Sequence, residues 1–306
     1  MIEQRMIMEN GKSHKVKKVP LVNRLAPFFY ILPGVTVLAA FFLSPLVNTL
    51  KTSFHPYSRT QGMDTSVYVL DNYIKLLMDP YYLQILFRTL RISFIVTVIC
   101  IIMGYAVGYY LANTNRRAQA VFILIYLAPW FVSIIVKAFG WTLLLAPNGY
   151  VNQILMALGL LDKPLRLMWS ELGVIIGMVH IYLIFVVLSV FSCLVGQDPL
   201  LRRAAANLGA TGWQTFKRVT LPLSLPGLLA GSVIVFTLTM SAFVTPAVLG
   251  GRRIQMIANM AFNQTVEMLN WPFGGAIALF LMLLTVAIVL GYQRLIVMGK
   301  WKVIFK

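Results

Sequence analysis

Five stretches of this chain run without a single Asp, Glu, Lys or Arg: Leu25–Leu50, Ile92–Asn115, Leu172–Gln197, Val219–Gly251 and Met268–Gln293. A sixth, Ala118–Leu161, is interrupted only by Lys137. A helix that crosses a bilayer needs about 20 consecutive, mostly apolar residues, and every one of these stretches is longer. Ala118–Leu161 is too long for one crossing, and Pro147-Asn148-Gly149 marks where a helix should stop. Spans are therefore predicted near 27–47, 91–112, 119–145, 172–194, 227–249 and 274–296. Lipid admits only helices or closed barrels, and these unbroken apolar runs lack the residue-by-residue alternation of a barrel strand. The expectation is an all-α membrane protein with six transmembrane helices. Composition agrees, with 59% hydrophobic and 11% charged residues against about 25% charged in soluble domains.

A net charge of +17 raises nucleic acid as a partner, so the placement of the charge decides. With the N-terminus inside, 16 of the 26 basic residues fall in cytoplasmic segments, among them Lys12–Arg24, Arg116, Arg117, Arg202, Arg203, Lys217, Arg218 and Lys300–Lys306. That bias fits an even number of spans with both termini cytoplasmic. It accounts for most of the charge through membrane topology, and no nucleic-acid partner is expected. Residues 1–24 form a basic cytoplasmic tail and 25–306 the six-helix domain. No cleavage site follows the first apolar run, where Ala39-Ala40 leads into Phe41-Phe42-Leu43, so that run is taken as an uncleaved span. Cys100 and Cys193 sit inside apolar runs, and His14, His55 and His180 are scattered; neither set forms a metal site.

The longest cytoplasmic loop, 196–226, carries the most information. Asp198 suits an N-cap and Pro199 the first helical position. Leu201, Ala204, Ala205 and Leu208 fall at i, i+3, i+4 and i+7, the spacing of one helical stripe, and Gly209 is placed to end that helix. Trp213, Phe216 and Val219 then oppose Lys217 and Arg218, ahead of Pro222 and Pro226. A helix lying on the membrane surface would show the same amphipathicity, but the small alanines favour close packing in a protein groove.

The run Arg203-Ala204-Ala205, Gly209-Ala210, Phe216, Leu221-Pro222 resembles the EAA loop of ABC importer permeases, with Arg203 standing where that family usually has glutamate. The resemblance implies the type I ABC importer-like permease fold. It also implies a coupling helix that docks on an ATPase subunit through Leu201, Arg203, Ala204, Ala205, Leu208, Gly209 and Ala210. The implied partners are a cytoplasmic ATPase dimer that binds ATP and Mg, a second and different permease chain, and a periplasmic or lipid-anchored substrate-binding protein. The location is the bacterial inner membrane, in contact with lipid. Trp130 to Gly149, Pro164-Leu165-Arg166-Leu167, Phe243 to Gly251 and Met256-Ile257-Ala258-Asn259 are similar to the polyamine-type branch of these permeases. The cargo implied is a small polar solute of polyamine type; an opine or aminophosphonate is the alternative within the same mechanism.

This chain itself should bind no cofactor and catalyse nothing. A phosphate-binding P-loop needs G-x-x-x-x-G-K-[ST]; Gly11-Lys12-Ser13 imitates its end, but Met6 stands where the first glycine belongs. An ion-coupled secondary transporter would want acidic or histidine relays at depth, for which only His180 and Lys137 qualify. Lys137, roughly 8 Å from the midplane of an unbroken third span at 1.5 Å per residue, is a candidate for the substrate pathway. Trp130, Trp141, Tyr182, Phe243, Thr245, Pro246 and Asn259 are the other candidates. The competing expectation for Lys137 is snorkelling or pairing within the bundle, for the aromatics packing or interfacial anchoring, and for Thr245-Pro246, read as a kink facing a cavity, simple packing.

Overall fold

The computed structural model describes the backbone of residues 21–298 and the side chains of 30–294. The predicted tail lies almost wholly outside them, as do Gly11-Lys12-Ser13, His14 and the C-terminal lysines. Contacts divide the chain into a unit ending at Asn48 and a second from Thr49 onward. The first unit holds α1 (Leu21–Leu38) and a π turn, Ala39–Leu43, that leads into α2 (Ser44–Ser53). Tyr30–Ser53 is long and apolar enough to cross a membrane.

The second unit opens with a two-residue hairpin, β1 (Tyr57–Ser58) against β2 (Gly62–Met63), then α3 (Asp71–Met78) and α4 (Pro80–Ala112). Asp79 caps α4 by accepting from Tyr81 N, with Pro80 in the first turn. The third apolar segment departs from the prediction of one helix over 119–145. It consists of α5 (Arg116–Leu127), a 3-10 turn at Ala128–Phe131, α6 (Ile134–Leu145) and α7 (Tyr150–Ala157). Pro129 and Ser133 account for the break. Pro129, two residues past the end of α5, has no N–H for the Ile125 carbonyl, and its ring crowds the preceding turn. The Ser133 hydroxyl accepts from Ile135 N and starts a new helix, the local competition short polar side chains offer. The stop expected at Pro147-Asn148-Gly149 is observed, with α6 ending at Leu145.

Next come α8 (Glu171–Val195), α9 (Pro199–Asn207), α10 (Gly212–Thr215), a π turn at Phe216–Thr220, and α11 (Leu221–Met240). The fifth span was expected to run to 249, but α11 stops at Met240 and residues 241–243 are not helical. Pro246 explains this, since its ring would clash with the carbonyl four residues back, that of Ala242. A π turn at Pro246–Gly250, α12 (Ile257–Phe262), a π turn at Asn263–Glu267 and α13 (Trp271–Met298) complete the chain. Among the described residues six helical segments have the length and apolarity of membrane spans.

The core of the second unit is the mutual packing of α4, α8 and α11. Ile92, Val96, Cys100, Val174, Met178, Val186, Val187, Val190 and Val235 are all completely buried there. Water cannot drive this packing inside a bilayer, so close backbone approach has to. Gly104 and Gly108 on α4, and Gly227 and Gly231 on α11, supply that approach as two G-x-x-x-G pairs. A Cβ at Gly104 would lie 2.7 Å from Val186 Cβ, and one at Gly108 2.9 Å from the Val187 carbonyl oxygen. At Gly227 it would lie 2.5 Å from the Ser189 carbonyl oxygen, and at Gly231 2.9 Å from Val186 Cα. Thus α8 is gripped by glycine faces of both neighbours. A second core joins α3, α4, α12 and α13 to the end of α11 around Leu76, Tyr82, Met240, Ile257 and Phe273.

Candidate functional site

At the Ala112 end of α4 the helix α9 forms over Pro199–Asn207 as expected from its signals. Asp198 accepts from Leu200 N, and Pro199 occupies the first turn. Its far end closes in the hydrogen-bond pattern of a Schellman cap: Ala210 N donates to Ala205 O at 3.0 Å and Gly209 N to Ala206 O at 2.9 Å. Gly209 has φ +80°, the left-handed conformation this cap requires. The side chains predicted for coupling are gathered on this helix and its cap. Leu201 and Leu208 are 47% and 88% exposed, and Arg203 and Ala204 are exposed beside them.

Two sets of contacts tie this helix to the bundle. Arg202 Nη1 donates to Asn113 Oδ1 at the end of α4. Phe216 packs edge-on against Tyr105 and Tyr109 of α4, at 5.9 and 5.6 Å between ring centroids, and Trp213 stacks on Phe216 at 5.4 Å. Tyr105 in turn shares a hydrogen bond of 3.0 Å with Ser224 of α11. Sequence spacing had placed Phe216 on an apolar stripe but gave no sign that its partners lay on α4. Arg116, Arg117, Arg202, Arg203, Lys217 and Arg218 collect at this end, and among the described residues none of them is within 4.0 Å of a carboxylate.

Toward the other end of α4, Glu171 receives both Arg88 and Arg91. Arg88 Nε lies 3.3 Å from its Oε1, and the Arg91 guanidinium donates to its Oε2. Glu171 is thus committed to an ion-pair cluster between α4 and α8, which sequence could not show because the partners lie 80 residues apart.

The pathway candidates fall into two groups. Trp130, Lys137 and Trp141 come together with His180 of α8. Lys137 Nζ sits 5.2 Å above the Trp130 ring, Trp130 meets Phe185 edge-on at 4.9 Å, and Trp141 Nε1 donates to His180 Nδ1 at 3.3 Å. Tyr126, Trp130, Lys137, His180 and apolar residues of α5 and α8 line a cavity of about 200 Å3 with no carboxylate in its wall. Lys137 lies in the first turn of α6 rather than partway along an unbroken span, so the depth expected for it does not apply. Tyr182 does not line this cavity and is buried in the core of α4 and α8.

The second group follows the break after α11. Phe243 packs on Phe262 at 4.5 Å, and its carbonyl accepts from Asn259 Nδ2 at 2.9 Å. Pro246 and Thr245 are buried there, and Thr245 Oγ1 has no hydrogen-bond partner among the described residues. In place of a kink within one helix, the chain has an interruption, and the Phe243 carbonyl bordering it accepts from Ala247 N at 3.1 Å as well as from the Asn259 amide. Among the described residues no cluster of His, Cys, Asp or Glu is placed to hold a metal ion.

Six apolar spans among the described residues, and an amphipathic helix exposed at one end of the second unit, are the features of a membrane-spanning transport subunit. The chain belongs to the binding-protein-dependent transport system inner membrane component family, whose model matches residues 100–300. It is a multi-pass protein of the bacterial inner membrane, an ABC importer permease rather than an enzyme. It is 34% identical over 230 residues to the spermidine/putrescine transport system permease protein PotB of Escherichia coli (strain K12), covering 75% of this chain and 82% of that one. The corresponding protein of Haemophilus influenzae is 29% identical over 285 residues, 93% of this chain and 94% of that one. A bacterial alginate ABC transporter, solved in complex with an alginate pentasaccharide-bound periplasmic protein, shares the fold. Its matching chain gives a TM-score of 0.75 at 18% identity, over 90% of this chain and 95% of that one.

Proposed function

We propose that this chain is one of two different membrane subunits of an ATP-driven importer that takes up small polyamine-like solutes from a periplasmic or lipid-anchored binding protein. The observation that carries the coupling role is α9 with its cap, an apolar stripe left exposed in the isolated chain and anchored behind by Arg202 and Phe216. A patch of this kind marks a protein docking site. The partner it fits is the groove of a cytoplasmic ATPase dimer, which binds the ATP and Mg. A displacement of α9 reaches α4 through the Asn113 and Tyr109 contacts, and α11 through the Tyr105–Ser224 bond. The polyamine assignment is supported by the relatives at 34% and 29% identity. Uptake of labelled putrescine into vesicles tests it, with this chain assembled alongside a partner ATPase, a second permease and a binding protein. Uptake that needs both ATP and binding protein is expected; uptake of an aminophosphonate with none of putrescine overturns the cargo class.

A second reading has its own observation. The cavity wall carries Lys137 and no carboxylate, as a site for an anionic or zwitterionic solute would. The aminophosphonate arm of the uptake experiment addresses it.

The end bearing α9 is assigned to the cytoplasm by its six basic residues, which puts both termini inside. Ser58 and Thr211 are exposed at opposite ends of the second unit, so each is a fair labelling position. A cysteine at Ser58 should react with an impermeant thiol reagent added to whole cells. One at Thr211 should react only in inside-out vesicles, and labelling of both from one side would reverse or break this topology.

A further inference from the structure

Lys137 stands in an unfavourable place for a cation. It is in the first turn of α6, where the helix dipole presents its positive end. No carboxylate lies within 4.0 Å of it among the described residues. What it has is the face of Trp130 at 5.2 Å, held in position by the edge contact with Phe185. The two residues flank the extended break at Val132-Ser133, so the ring and the ammonium belong to separate short helical pieces. The cavity beside them, about 200 Å3, is larger than the roughly 150 Å3 that admits benzene. Its wall is aromatic and apolar apart from Lys137 and the His180 imidazole, whose Nδ1 is engaged by Trp141.

We propose that the Trp130 face is a seat for a primary alkylammonium, and that Lys137 fills it as a tethered stand-in until an ammonium of the cargo displaces it. This rests on the polyamine reading above and adds the site. An indole face attracts an ammonium without the hydration or pairing that a carboxylate would demand. Two ammonium groups cannot share one face, so entry of cargo requires the Lys137 side chain to swing away. The lysine thereby keeps the seat from standing empty and sets a threshold that a neutral solute does not cross.

The test uses the full chain in lipid nanodiscs, labelled with 5-fluorotryptophan, and follows the Trp130 fluorine resonance assigned by Trp130→Phe. The probes are n-butylammonium, n-butanol and butyrate. In Lys137→Met, butylammonium should shift the Trp130 signal at about tenfold lower concentration than in the wild type, while butanol should not. Lys137→Arg should behave as the wild type, and Lys137→Gln repeats the neutral substitution should the Met variant fold poorly. No butylammonium response at Trp130 in either neutral variant overturns the seat, and so does a wild-type response to butyrate, which would make Lys137 an anion anchor. Putrescine uptake by the assembled transporter separates the two ideas. Uptake without a seat leaves the polyamine reading standing alone, whereas a seat that binds butylammonium in a transporter that moves no amine refutes the reading.

Discussion

Replacing Gly227 by leucine should leave no monodisperse protein to purify, and Gly227→Ala should lower the melting temperature by several degrees. The cause is steric. At this position α11 crosses α8 so closely that a Cβ would fall 2.5 Å from the Ser189 carbonyl oxygen and 2.6 Å from Cys193 Cβ. The obstacle is partly backbone, which cannot rotate away as a side-chain tip can, so the helices must separate. Overpacking a filled interior costs about 1–3 kcal/mol, and a backbone obstacle puts Gly227→Ala near the top of that range. That is a large share of a total stability of about 5–15 kcal/mol. Separation also loosens the dispersion contacts of Val186 and Val190 on α8, the main attraction available where water is absent. Gly291→Ala is the control, because among the described residues nothing lies within 4 Å of the Cβ it adds and alanine is the better helix former by about 1 kcal/mol. The measurement is thermal unfolding of the purified chain in detergent. Equal melting temperatures for Gly227→Ala and Gly291→Ala would show that close approach at α8 does not hold the bundle together.

What the sequence made legible was local. Charge-free runs marked the six segments, and Asp198-Pro199, the stripe through Leu208, and Gly209 marked α9 from start to cap. Each signal acts within a turn or two of itself. What it concealed depends on pairs far apart along the chain. Glu171 reads as an ordinary first-turn acid, and only the fold brings Arg88 and Arg91 to it. The spacings Gly104–Gly108 and Gly227–Gly231 drew no reading from the sequence, because that both grip α8 is a fact of topology. The break before α6 is carried by Pro129, just past the end of α5, and by Ser133. Ser133 is one small polar residue among apolar ones, and a hydroxyl inside a helix can equally bond its own turn. The prediction of one helix over 119–145 read neither as a stop. Pro246 did announce a disturbance. Its consequence fell four residues earlier, at Ala242, because that is where a proline ring meets the preceding turn. Lys137 was conspicuous from the start, whereas its partner could not be inferred while the third segment was taken as one straight helix.

Gly209→Val should abolish ATP-driven transport while leaving membrane insertion and assembly of the six spans unchanged. With φ at +80°, Gly209 is in the left-handed region, which costs an L-residue roughly 1–2 kcal/mol and a β-branched one more. Valine would escape that cost by rotating to a negative φ. Doing so breaks the bond from Ala210 N to Ala205 O and the one from Gly209 N to Ala206 O. The end of α9 then unwinds, and Leu208, 88% exposed and ready for a partner, points elsewhere. Among the described residues nothing beyond its chain neighbours lies within 4 Å of a Cβ built on Gly209, so no clash among them would confuse the result. Asparagine tolerates the left-handed region far better than valine, and Gly209→Asn separates conformation from crowding. Retained transport in the Asn variant beside loss in the Val variant shows that the cap's backbone shape is what coupling needs. Loss in both means that the ATPase surface approaches the glycine too closely for any side chain, which still places the docking contact here. The measurements are binding-protein-dependent uptake and binding-protein-stimulated ATP hydrolysis in the reconstituted complex, at matched amounts of assembled transporter. Normal uptake and stimulation in Gly209→Val would remove α9 from the coupling pathway altogether.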